Sequence, residues 1–154
     1  MAMTPKGIYI PEGDTDVDFL SVFSTLASSI DSALGDFTYD SGWIDVPTSQ
    51  MQNGWETYNT TGSRVRYRKV GKEVKLDGIA RRGTGTEIFT LPLGYRPVGV
   101  YPNFAGCITA SSGTNLNLSA RVRISTVGVV QIYASTQALR DLGVGLSAAT
   151  FYVD

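Results

Sequence analysis

The spacing of apolar residues changes once along this chain, and that change limits its possible folds. Between residues 14 and 35 apolar side chains recur every three or four positions, which is the spacing of one helix face. Beyond Asp36 they recur at every second position, as in half-buried strands. We therefore expect one N-terminal helix followed by a mainly β domain, and not the alternation of strands and helices that builds a parallel sheet.

The predicted helix has a capping-box pattern at Thr15 and Asp18, and Gly35 is placed to end it. Its apolar face is broad and must be buried against something. It could pack on the β domain, or copies of the chain could form a short parallel bundle. We favour self-association, with a stem core of five residues: Leu20, Phe23, Ala27, Ile30 and Leu34.

Strict alternation marks the β region most clearly at 115–124, where Arg121 and Arg123 lie on the polar side. A two-residue turn at 71–72 predicts a hairpin, and the prolines and glycine of 88–97 predict a corner from which the chain re-enters a sheet at Val98. A turn at 126–128 is expected to lead into a strand at Val129 to Tyr133. Residues 134–143 are expected to be a polar loop, and Val144 to Val153 a final strand. The predicted fold is an antiparallel β-sandwich, jelly-roll-like, with an arm and helix over 1–38 and a β head domain over 39–154.

The composition argues against most catalytic chemistry. The sequence has no histidine and a single cysteine, Cys107, so it lacks the commonest general base and cannot form a cysteine-type zinc site. No spacing of carboxylates singles out a glycosidase pair, and Arg82-Gly83-Thr84-Gly85 lacks the context of a phosphate-binding loop. We expect no enzyme activity, no catalytic residues, no metal and no cofactor.

Charge is unevenly distributed. Residues 1–45 contain one basic and eight acidic residues, whereas residues 46–154 contain twelve and six. The basic residues between Arg64 and Arg82 are expected to form a solvated sheet face and not a nucleic-acid surface, and a surface for an anionic glycan or teichoic-type polymer is the intermediate alternative. No apolar run approaches a membrane span and the N-terminus does not resemble a signal peptide, so we expect a soluble chain made in a cytoplasm.

Aromatic side chains sit in or beside several predicted turns, at Trp55, Tyr58, Tyr101 and Tyr133. Exposed aromatic rings at such places commonly stack on sugars or on a neighbouring subunit, because one ring buries a large area at little entropic cost. The alternative is that each packs in the core or at an interface. As candidate ligand contacts on the head surface we select Trp55, Tyr58, Tyr133 and Asp141.

Several motifs occur in an order that resembles the C-terminal head domain of tailed-phage receptor-binding proteins and tail fibres. They span about residues 43–154 and comprise Asn53-Gly54-Trp55, Val65-Arg66-Tyr67-Arg68-Lys69 with Gly71, Val74-Lys75-Leu76-Asp77-Gly78, Ile88 to Pro97, and Val122-Arg123-Ile124 with Gly128-Val129-Val130. The segment Tyr9-Ile10-Pro11-Glu12-Gly13-Asp14 is similar to virion-attachment ends of phage proteins.

The resemblance implies a homotrimer, with a helical stem, three β domains, and glycan sites in loops or between protomers. It also implies attachment to tail or baseplate proteins through the arm and helix, and a place on the virion after synthesis in the host cytoplasm. The expected function is recognition of a host cell-surface saccharide without catalysis, with no nucleic-acid partner and no membrane insertion. Because the chain has no long shaft, a structural fibre or decoration protein without a specific receptor remains the alternative.

Overall fold

The computed structural model describes residues 2–3, 9–10, 19–107, 119–134 and 136–154. The chain divides into two compact units, Met1–Asp36 and Phe37–Asp154. We call the second unit the head.

The first unit contains two short antiparallel strands and most of a long helix. Strand β1, Ala2–Met3, pairs with β2, Tyr9–Ile10, and helix α1 is assigned to Phe19–Thr38. The helix continues through Gly35, so the prediction that this glycine ends it was wrong. The predicted capping box at Thr15 and Asp18 lies outside the described residues.

The apolar stripe of α1 is exposed in the single chain. The exposed fractions are 63% for Phe23, 49% for Ile30 and 54% for Leu34, and Ala27 is exposed as well. The neighbouring row is similar, with Val22 at 54% and Leu26 at 53%. Of the predicted stem core, only the Leu20 side chain lies outside the described residues.

The head is mainly β, as predicted, and is compatible with a β-sandwich. Its described strands form three antiparallel sheets, with strand orders β8-β11-β10-β9, β12-β7-β4 and β13-β6-β5-β3. The described part of the head also contains a 3-10 turn at Thr48–Gln50 and the short helix α2, Gln137–Leu142. The strands are β3 Ile44–Asp45, β4 Glu56–Thr57, β5 Arg66–Val70, β6 Glu73–Asp77, β7 Ile79–Arg81, β8 Glu87–Thr90, β9 Asn103–Cys107, β10 Ser119–Ile124, β11 Val129–Tyr133, β12 Val144–Gly145 and β13 Thr150–Tyr152.

One buried apolar cluster lies at the centre of the head and draws on all three sheets. Alternation along the strands supplies its members, because successive side chains point to opposite faces. Strand β10 contributes three side chains and its partner β11 contributes two, while β6 contributes two from another sheet. These are Ala120, Val122 and Ile124, then Val130 and Ile132, then Val74 and Leu76.

Three sequence expectations for the head need correction. After the corner the chain does not re-enter a sheet at Val98, since β9 begins only at Asn103. Residues 134–143 were expected to be a loop but contain α2, whose first turn is capped by the Thr136 hydroxyl accepting from the Leu139 amide. The predicted final strand is two strands, β12 and β13, separated by a turn.

Gly78 separates β6 from β7 in a position that only glycine tolerates. Its φ is +97°, and a Cβ placed there would lie 2.0 Å from the Arg64 carbonyl oxygen. Gly94, in the corner, has a φ of +85° but no atom within 4 Å of such a Cβ. A side chain at Gly78 would therefore cause both backbone strain and a steric collision, whereas a side chain at Gly94 would cause backbone strain alone.

We expect Gly78→Ala to destabilise the head more than Gly94→Ala does. The Gly94 variant should lower the free energy of unfolding by about 1–2 kcal/mol through backbone strain alone. The Gly78 variant should add roughly 1–3 kcal/mol because its methyl group meets backbone atoms that must move. Denaturant titration of both variants measures the difference, and equal losses would contradict the close packing at Gly78.

Ion pairs cover the outward face of the β13-β6-β5-β3 sheet and the neighbouring β7. Arg64 pairs with Asp45 at 2.6 Å, and Arg66 pairs with Asp77 at 2.7 Å. The other pairs are Arg68–Asp40, Lys75–Glu73, Arg81–Glu56 and Arg82–Glu56. All are partly exposed, so the prediction that this basic stretch forms a solvated sheet face is confirmed.

Asp40 gives this ion-pair surface a measurable pH dependence. The Arg68 side chain and then the Gly42 amide donate hydrogen bonds that lower the pKa of Asp40 from 3.8 to about 2. Because the folded state binds this proton less readily than the unfolded state, the contribution is present above about pH 4 and is lost as the pH falls to about 2.

Replacing Asp40 with asparagine should therefore lower the melting temperature at pH 6 but not at pH 2. Glu73 and Asp77, whose pKa values are also lowered, are present in both proteins and cancel in the comparison. Thermal unfolding of the two proteins across this range provides the measurement. A difference in melting temperature that stays constant with pH would show that the Asp40 carboxylate does not stabilise the fold.

Candidate ligand-binding face

The outward face of the three strands β9, β10 and β11 places two arginines in the centre of a sheet. Arg121 lies opposite Tyr133 of β11 and Ala105 of β9, and Arg123 lies opposite Gln131 and Asn103. This arrangement follows from alternation, since the intervening residues of β10 are buried in the core. We call this surface the β10 face.

Each arginine lies over a tyrosine ring. The guanidinium carbon of Arg121 is 4.5 Å from the Tyr133 ring centre, and that of Arg123 is 4.6 Å from the Tyr101 ring centre. Both distances are within the range of cation–π attraction, which contributes about 0.5–1 kcal/mol at exposed sites. The contacts hold the two guanidinium groups in defined positions on the sheet.

A shallow depression of about 580 Å³ opens beside Arg121. Its volume is in the range of small-molecule sites, although it is open and not enclosed. Three strands supply its lining, which combines polar side chains with apolar ones. The lining residues are Asn103, Phe104, Ala105, Ala120, Arg121, Tyr133 and Ala134.

The β10 face has an excess of positive charge. Neither Arg121 nor Arg123 forms an ion pair within the part of the chain that the structure describes. The acidic residue of this sheet is Glu87 on β8, which is separated from β10 by β11 and therefore by about 10 Å of sheet. The Arg123 Nε atom is buried and has no hydrogen-bond partner among the described residues, a property it shares with Arg140 Nε.

The excess of positive charge on the β10 face is also visible in the sequence, although no motif marks it. Residues 88–140 include four arginines and no aspartate or glutamate. Alternation had placed Arg121 and Arg123 on a polar strand face, but a polar face usually carries both signs of charge. The absence of acidic residues over so long a stretch would have distinguished this face from the ion-paired one.

The four residues selected from sequence as ligand contacts lie at separate places. Tyr133 lines the β10 face beside Arg121. Tyr58 follows β4 and lies beneath the Arg81 guanidinium, with 4.8 Å between the guanidinium carbon and the ring centre. Asp141 is exposed on α2. Of these residues, only Tyr133 belongs to the face described above.

Trp55 is buried, which corrects the expectation that its ring is available at the surface. Only 2% of it is exposed, and its indole Nε1 donates a hydrogen bond to the Gly85 carbonyl at 3.1 Å. The ring lies so close to Gly83 that a Cβ there would be 1.9 Å from it. The glycine-rich turn of 83–85 therefore serves to cover this tryptophan.

The described residues include no group of three histidine, cysteine or carboxylate side chains placed to hold a metal ion. Cys107 is a free thiol, exposed at the end of β9. Within the described ranges no helix combines the length and apolar character that crossing a membrane requires.

The structure is similar to the crystal structure of the receptor-binding protein gp15 of Listeria phage PSA. The TM-score is 0.57 at 17% sequence identity, and the match covers 92% of this chain and 82% of that one. The resemblance inferred from the order of the sequence motifs is thus confirmed at the level of the fold. No protein-family model matches the chain, and the comparison with curated proteins gave no match.

Substitutions at Trp55 and Tyr58 should separate a core role from a surface role. Trp55→Ala is expected to lower the free energy of unfolding by about 3–5 kcal/mol, because it leaves a large cavity under the glycine-rich turn. Tyr58→Ala should cost only about 1 kcal/mol, mainly by removing the contact with Arg81. Chemical denaturation distinguishes the two, and a small loss for Trp55→Ala would argue against its burial.

Proposed function

We propose that this chain is a phage virion protein, a homotrimeric receptor-binding or tail-fibre head that recognises a host cell-surface saccharide without cleaving it. The observation that carries the proposal is the similarity of fold to a phage receptor-binding protein over 92% of the chain. The ordered motifs of residues 43–154 support the same assignment from the sequence alone.

Trimerisation would take place through α1. Its apolar stripe runs along the described helix from Val22 to Leu34, and each of its large side chains is about half exposed or more. A helix with such a stripe gains stability by packing against other helices, at about 25 cal/mol for each Å² of apolar surface removed from water. Other copies of the chain carry the same apolar stripe, so a parallel bundle of these helices is the simplest arrangement that buries it.

The remaining parts of the proposal assign each region a role on the particle. The N-terminal arm and helix would attach the protein to other tail or baseplate proteins, and the β head would face the host. The β10 face offers the combination of aromatic rings and charged groups that saccharide binding uses. Three heads joined through their helices would bind a polymeric surface with higher avidity than one head, so weak individual sites would suffice.

Replacing two stripe residues with aspartate should convert the trimer to a monomer. We expect Phe23→Asp combined with Ile30→Asp to reduce the solution mass threefold. Burying unpaired carboxylates between the helices would cost more free energy than the helix contacts provide. Light scattering at micromolar concentration provides the measurement. Ser24→Asp combined with Ser32→Asp is the control, since it adds the same charge to the polar side of the helix and should leave the mass unchanged.

A wild-type chain that is already monomeric would refute the trimer. If the stripe variant is still a trimer, the contacts that hold the trimer together lie outside α1.

Binding to a saccharide array tests the receptor-binding role. The wild-type trimer should bind a subset of bacterial surface saccharides and release no sugar from them. The monomeric variant should bind the same saccharides with an apparent affinity about 100-fold or more weaker, because avidity is lost. Binding to no saccharide would favour a structural fibre or decoration protein, and release of sugar would show an enzyme.

A further inference from the structure

The two arginines of the β10 face differ in one respect from the stacked arginines elsewhere in the head. Arg66 lies 4.6 Å over the Trp43 ring, and it donates hydrogen bonds from Nε and one terminal nitrogen to Asp77 at 2.9 and 2.7 Å. Arg81 lies over Tyr58, and its Nε donates to Glu56 at 3.0 Å. In both cases the ring contacts the guanidinium and a carboxylate accepts from its edge.

This double use follows from the shape of the guanidinium group. Its N–H donors lie in the plane of the group and point outward, whereas an aromatic ring contacts the flat side. Stacking therefore fixes the orientation of the group without consuming its donors. A carboxylate or a phosphate can accept two of these hydrogen bonds at once.

Arg121 and Arg123 each lie over a tyrosine ring, but no carboxylate of the described residues accepts hydrogen bonds from them. Each lies over a tyrosine at the same distance as Arg66 lies over Trp43, and neither has an acidic partner among the described residues. Both side chains project from the same side of β10, with their Cα atoms about 7 Å apart. The face thus holds two oriented anion-binding groups, one of which borders the 580 Å³ depression.

We propose that the β10 face binds an acidic saccharide, whose carboxylate or phosphate accepts hydrogen bonds from the guanidinium groups of Arg121 and Arg123, as Asp77 accepts them from Arg66. The sugar ring adjoining the anion would lie in the depression lined by Asn103, Ala105 and Tyr133. This inference rests on the proposed function, since it names the class of saccharide that the head recognises.

The experiment is an array that carries neutral, uronate-bearing, sialate-bearing and phosphate-bearing saccharides. The proteins compared are the wild type, the double variant Arg121→Gln plus Arg123→Gln, and the control Arg64→Gln. Arg64 is a matched control because it is a surface arginine whose acidic partner, Asp45, belongs to the chain itself. Circular dichroism and the solution mass establish that each variant keeps its fold and its assembly.

The expected result is binding to acidic saccharides that weakens about 10-fold for each arginine removed, and hence about 100-fold in the double variant. The Arg64 variant should bind like the wild type. Binding should also weaken between 0.05 and 0.5 M salt, because the contacts are electrostatic and open to solvent. Whether the retained saccharides carry carboxylates or phosphates identifies the source of the anion.

Four other outcomes would overturn the inference, and they are distinguishable. Binding to neutral saccharides alone, or acidic binding that survives in the double variant, would refute the anion site while leaving saccharide recognition intact. An equal loss in the Arg64 variant would show a general effect of positive charge. Binding to no saccharide would refute the proposed function, and the anion site with it.

Discussion

The head depends on the alternation of side chains about one buried apolar cluster, because this alternation decides which residues face outward together. Tyr67 of β5 and alternate residues of β6, β10 and β11 enter the cluster, and the residues between them lie on the outer surfaces of two sheets. The chemistry of each surface is therefore set by every second residue of a few strands, and the two surfaces differ sharply in charge.

The difference arises from the distribution of carboxylates along the chain. Acidic residues between 40 and 77 form ion pairs with Arg64, Arg66, Arg68 and Arg81, so charges of both signs meet on this surface. The strands β9, β10 and β11 carry none. The head therefore has one surface whose arginines are paired with carboxylates and one surface whose arginines have no acidic partner among the described residues. Surface ion pairs contribute little to stability. Their main consequence is that the carboxylates occupy the hydrogen-bond donors of these arginines, which are then not available to a ligand.

Sequence patterns predicted the parts of the fold that local spacing controls. The hairpin at Gly71 and the strand β11 appear where alternation and turn residues placed them. Helix α2 escaped prediction because its six residues are too few to show a helical period, although Thr136 and Gly143 are a fitting cap pair. The burial of Trp55 escaped as well, since it depends on a glycine turn about 30 residues further along the chain.

The same limit applies to the candidate site. Tyr133 was selected from the sequence as an aromatic residue near a turn, and Arg121 was placed on the polar side of its strand, but nothing local joins the two. Their contact follows from the register of β10 against β11, which pairs Arg121 with Tyr133 directly. A shift of one residue would turn Arg121 into the core, where an unpaired charge is strongly unfavourable. The apolar residues that fix this register therefore also fix the geometry of the arginine–tyrosine pair, so the core and the proposed site are specified by the same alternation.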